Sequence, residues 1–96
     1  MPVKSLEEEL VILLRWICLN CGFCSIPDDD YRKITKSKRL EAGEFALAIL
    51  RAEGFDPPEA ELEWMRRLKA RFIEYFGRAV VSEEEFSDED SSAAQN

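Results

Sequence analysis

The stretch LVILLRWICLNCGFC, residues 10–24, decides how this chain is read. Placed on a helix at about 100° per residue, it has two apolar faces instead of the single stripe of an ordinary surface helix. Leu10, Leu13, Leu14, Ile17, Cys18, Cys21 and Cys24 fall in one broad arc, and Ile12, Trp16, Leu19 and Phe23 line up nearly opposite, at spacings of four, three and four. Arg15 and Asn20 mark the polar seams between them. A helix with two apolar faces must be covered twice, by its own chain or by another molecule. In a three-helix bundle the first arc already meets both neighbours. The second face, Ile12, Trp16, Leu19 and Phe23, is therefore expected to bind a partner protein or a second copy of the chain.

Working outward, Ser5 is placed to cap this helix, with Glu8 three residues on completing a capping box, and Glu7, Glu8 and Glu9 lie at the positive end of the helix dipole. Gly22 and Pro27 bound the helix at about residues 6–24. Residues 25–39 read as a connector with at most one turn of helix around Tyr31 and Ile34. A second helix is expected over about 38–52, ending at Gly54. Asp56, Pro57, Pro58 and Glu59 make a strong start signal for a third, about 57–76, with Leu62, Met65, Leu68, Phe72, Tyr75 and Phe76 as its core stripe, Trp64 and Ile73 beside it, and Gly77 as its stop. No strand alternation, hairpin signal or internal repeat is present. The expected fold is all-α: a three-helix domain over residues 5–78, followed by a disordered acidic tail, residues 79–96.

The tail follows from composition. The chain has 96 residues and a formal charge of −7. Residues 1–78 carry all thirteen Lys and Arg against fourteen acids, and residues 79–96 carry six acids and no base. The body is close to neutral, and the tail lacks the apolar surface to offset the entropy of ordering. A body this small buries only roughly 60–65% of its unfolded surface, so a partner would stabilise it. The acids before the apolar run are the wrong charge pattern for a signal peptide. The run itself, interrupted by Arg15 and Asn20, is shorter than the roughly 20 residues of a membrane span. Three cysteines within seven positions, an odd number, do not form the disulfide framework of a secreted domain. An intracellular, cytoplasmic location is expected.

Chemistry has little to hold in this sequence. CLNCGFC, residues 18–24, resembles the opening of a bacterial ferredoxin cluster motif over those seven residues. The fourth thiolate is missing and Asp28 stands where it would fall; a closed zinc site also needs four ligands, and the chain has no His. The three cysteines are expected to pack as small buried residues, with no metal and no cofactor. Without histidine, a phosphate loop or a nucleophile elbow, no catalytic residue is expected and no small-molecule substrate is evident. Asp28, Asp29 and Asp30 lack the other ligands of a calcium loop and read as a solvated turn or cap.

The alternative function rests on Arg32, Lys33, Lys36, Lys38 and Arg39, five cations in eight residues beside Tyr31, with a second cluster at Arg66, Arg67, Lys69 and Arg71. These are candidates for binding phosphates, with Tyr31 stacking on a base. The favoured reading is a non-catalytic protein-interaction module, an adaptor, inhibitor or small regulatory subunit.

Overall fold

A computed structural model describes residues 5–85. Among them are four α-helices: α1 (Leu6–Cys21), α2 (Asp28–Thr35), α3 (Ala42–Ala52) and α4 (Leu62–Phe76), with a 3-10 turn at Pro58–Ala60. Two short strands, β1 (Arg39–Glu41) and β2 (Val80–Ser82), pair antiparallel. The molecule is mostly helical, as expected, but the described residues hold four full α-helices where three were foreseen, the start of a further helical turn at residues 83–85, and a strand pair that had no sequence signal.

The start of α1 forms as its sequence requires. The Ser5 hydroxyl accepts the Glu8 amide at 3.2 Å, and the Glu8 carboxylate accepts the Ser5 amide at 3.3 Å. Its end comes three residues before the expected one. Gly22 takes φ 80° and its amide donates to Cys18 at 3.1 Å, a left-handed stop that glycine adopts without strain. Leu6, Leu10, Leu13, Leu14 and Ile17 are all buried, so the aliphatic part of the first apolar arc is core.

The connector holds a two-turn helix, α2. Asp28, Asp29 and Asp30 occupy its positive end, Arg32 and Lys33 its negative end, and Ile34 and Thr35 are buried. Residues 38–41, expected in the second helix, are instead extended: Glu83 donates its amide to Lys38, Ala42 donates to Ala79, and Leu40 pairs with Val81. Glu41 then becomes the residue before α3, its amide received by Glu44 at 3.1 Å. Leu40 and Val81 are 7% and 1% exposed, so burying this apolar pair ties β2 to the body. Val80–Ser82 lie past the expected domain boundary at residue 78, and they belong to the packed part of the chain; residues 83–85, expected to be disordered, begin a helical turn whose start the Glu85 carboxylate closes by accepting the Ser82 amide at 3.1 Å. The rest of the expected disordered tail, from residue 86, lies outside the described residues.

The third expected helix is likewise redrawn. The proline start signal produces the 3-10 turn, and α4 begins only at Leu62. Gly77 ends it as foreseen, φ 75°, its amide on Ile73 at 2.7 Å. Helices α3 and α4 pack through Phe45 and Phe72, whose ring centroids are 5.1 Å apart, and Ile49, Leu50 and Leu68 complete the buried centre with α1. No helix among the described residues is long and apolar enough to cross a membrane.

Candidate partner-binding surface

The four residues expected to form one exposed row on α1 part company. Ile12 and Leu19, seven residues and two turns apart, share the outer face and are 37% and 82% exposed. Trp16 is half-buried: the Arg71 guanidinium of α4 lies over its indole, 3.7 Å from the ring centroid. Phe23 is buried at 7% exposure, with Trp64 edge-on at 4.7 Å and Phe55 at 6.2 Å between centroids. This corrects the expectation for Phe23, and its cause is local. Past the left-handed Gly22 the 100° progression no longer applies, so a residue assigned to the outer face is turned inward. The Ser25 amide, donating to Glu53 at 2.7 Å, holds the segment against the end of α3.

A second cause is covalent. Cys18 and Cys24 form a disulfide across a Cα separation of 4.6 Å, which corrects the reading of all three cysteines as buried thiols. Cys24 is exposed and the free Cys21 half-buried. Burial pushes the Cys21 thiol above its ordinary pKa, against the opposing pull of Arg67 and Arg71. Among the described residues no cluster of three or more Cys, Asp or Glu is arranged to hold a metal ion.

Another apolar face, unforeseen, lies on α4. Leu62 was placed in the core stripe, yet it is 76% exposed; Ile73, assigned to its flank, is 40% exposed. Leu62, Arg66, Lys69 and Ile73 follow the i, i+4, i+7, i+11 repeat, and together with Glu59, Met65 and Ala70 they line a shallow groove of about 460 Å³. Only Leu68 and Phe72 of this helix are fully buried. The repeat is legible in the sequence, but the apolar residues of α4 span about half its circumference, wider than the fold covers, and that obscured which edge would be left free. On α1, Ser5, Glu7, Glu8, Val11 and Ile12 border a comparable depression of about 490 Å³.

The candidate phosphate-binding cluster is divided between α2 and β1. Tyr31 is half-buried against the core; Arg32 pairs with Asp29 at 3.7 Å and Lys36 with Glu7 at 3.3 Å. Lys33 is exposed, while Lys38 and Arg39 border a groove whose other walls include Glu83 and Glu84. The second cluster is similarly matched. Glu63 receives both Arg66 and Arg67, at 2.5 and 3.1 Å, which holds its carboxyl below the usual range, and Arg71 pairs with Glu74 at 2.5 Å. On the inner side of α4, Tyr75 donates its hydroxyl to Glu9 at 2.7 Å; burial and this carboxylate push the phenol up to about 12.

No protein-family model, curated protein or solved structure matches this chain.

Proposed function

We propose that the chain is a non-catalytic helical module that binds another protein, in the manner of an adaptor, inhibitor or small regulatory subunit. The observation that carries the reading is the pair Ile12 and Leu19 on the outer face of α1, with Leu19 at 82% exposure. Single exposed leucines are ordinary on soluble proteins. Here two large aliphatic side chains align two turns apart on one helix, and a second stripe on α4 sets Leu62 and Ile73 among Arg66 and Lys69, so the exposed aliphatic side chains fall on two helix faces that a partner could cover. Fully covering a Leu or Ile side chain contributes about 1.5–3 kcal/mol, so such a face has affinity to give. The non-catalytic part rests on composition: the chain has no histidine, and none of the phosphate-loop or nucleophile motifs. The nucleic-acid alternative has less support, because Arg32 and Lys36 are paired with acids and Lys38 and Arg39 share their groove with Glu83 and Glu84.

The test is affinity capture from the native cell with the wild type and with Leu19→Glu, whose helical signal must match. A stoichiometric protein retained by the wild type and lost by the variant supports the reading. Identical retention by both removes Leu19 as the contact.

A further inference from the structure

We infer that the outer face of α1 in one copy seats on the outer stripe of α4 in a second copy, antiparallel, so that chains associate head to tail. This deepens the interaction-module reading by committing to an occupant for the α4 groove. Both faces mix apolar and charged side chains, with acid in excess on α1 and base in excess on α4. The α1 depression sets Glu7 and Glu8 beside Val11 and Ile12, and the α4 groove sets Arg66 and Lys69 beside Leu62 and Ile73, with Glu59 at its end. Glu7 and Arg66 also pair within their own chain, with Lys36 and Glu63, so Glu8 and Lys69 are the charges that anchor the contact.

The helical rise of about 1.5 Å per residue fixes the register. With Glu8 opposite Lys69 and the helices antiparallel, Ile12, about 6 Å further along, falls opposite Met65. Arg15, about 10.5 Å along, falls opposite Leu62, the first residue of α4, next to the 3-10 turn that carries Glu59. Glu8 then meets Lys69, Arg15 lies beside Glu59, and Leu62, the most exposed residue of the stripe, is covered, while Ile73 falls past the start of α1. The parallel order with the same starting pair brings Ile12 to Ile73, but it leaves Leu62 bare and Arg15 opposite Phe76.

Neither face can serve its own chain. Arg71 and Tyr75, which meet Trp16 and Glu9 of α1, lie on the side of α4 roughly opposite Leu62 and Ile73, because nine residues at about 100° make a half-turn beyond whole turns. The contact is therefore between copies and of the heterologous kind, in which each copy offers a different face.

Sedimentation and light scattering on the full chain test this. The wild type should increase in mass with concentration and pass beyond a dimer, less so at high salt. Ile12→Glu and Leu62→Glu should each be monomeric alone, and mixed they should form a 1:1 dimer that grows no further, since only one competent face of each kind remains. Arg15→Glu should weaken association about two- to fivefold, and adding Glu59→Arg should restore it. Both residues are exposed, so this pair is informative even if Ile12→Glu fails to fold. A wild type that stays monomeric at every concentration, a mixture that stays monomeric, or a single variant that still dimerises overturns the inference. Leu19 falls beyond the first residue of α4 in this register, so loss of a foreign partner on Leu19→Glu is judged separately.

Discussion

Replacing Phe23 by alanine separates the sequence reading from the structure. On an outer helical face Phe23 would be dispensable for folding, and its loss would only weaken partner binding. At 7% exposure, between the edges of Trp64 and Phe55, it is core. Truncating a buried Phe to Ala costs about 3–5 kcal/mol, from lost transfer energy and from the cavity left behind. A packed body of this size has a stability of roughly 4–12 kcal/mol at about 0.05–0.15 kcal/mol per residue. The variant thus loses a quarter of it at the least. At about 4 °C or more per kcal/mol for so small a domain, the melting temperature should fall by roughly 12 °C or more. Leu19→Ala is the matched control: it also shortens an apolar side chain assigned to the same face, but one 82% exposed, and should stay within about 0.5 kcal/mol of the wild type. Thermal and urea unfolding followed by circular dichroism measure both. If Phe23→Ala melts as close to the wild type as Leu19→Ala does, Phe23 is not core.

Alkylation of the denatured, unreduced protein should label one thiol per chain, Cys21, and three after reduction; three before reduction would show that Cys18 and Cys24 are not joined. Cys18→Ser should destabilise by about 2 kcal/mol on the chain-entropy account, a small effect because the loop closed is short. Tyr75 ties stability to alkaline pH: with its folded pKa raised from 10.0 to about 12, the neutral phenol's contribution is whole below pH 10 and is lost as pH rises toward 12. Tyr75→Phe should flatten the stability profile across that window, and equal alkaline slopes in variant and wild type would refute the Glu9 contact. Val81→Asp should lower the melting temperature by at least about 10 °C, since it puts a carboxylate at a site 1% exposed and opposite Leu40; no change would return residues 80–82 to the tail.

Features set by one or two neighbouring residues were legible in the sequence. Ser5 with Glu8, the acids of the first turn, Gly77 and the buried arc from Leu10 to Ile17 all hold, because a cap or a stop is determined within a few residues. The strand pair was not legible. Each strand is three residues long, too short for alternation to register, and its partner lies some forty residues away, so only the tertiary fold brings Leu40 to Val81. Helix α2 reads in the sequence as a connector with at most one helical turn, because Pro27 supplies no side-chain cap and the three aspartates that favour turns serve equally at a helix's positive end.

The candidate surface was half legible, for a reason that lies in the helical wheel itself. A wheel projects side chains at a constant angle, and that projection ends at the first residue with positive φ; beyond Gly22 the position of Phe23 carried no directional information. A wheel also counts arginine as polar. Arg71 lies over the Trp16 ring while the indole packs against the core, so an indole that looked free is half-buried. What remains of the second face is Ile12 and Leu19, the two members neither beyond a helix stop nor within reach of α4's cations. Leu62 and Ile73 came free by the same logic. Four aromatic rings on the inner side of α4, at 64, 72, 75 and 76, already fill the space against α1, α3 and the segment after Gly22, so its remaining apolar residues have no place left inside. A helix whose apolar sector is wider than its neighbours can cover, at the edge of a small fold, must leave an edge of that sector outward, and the sequence shows the surplus before the fold shows its side.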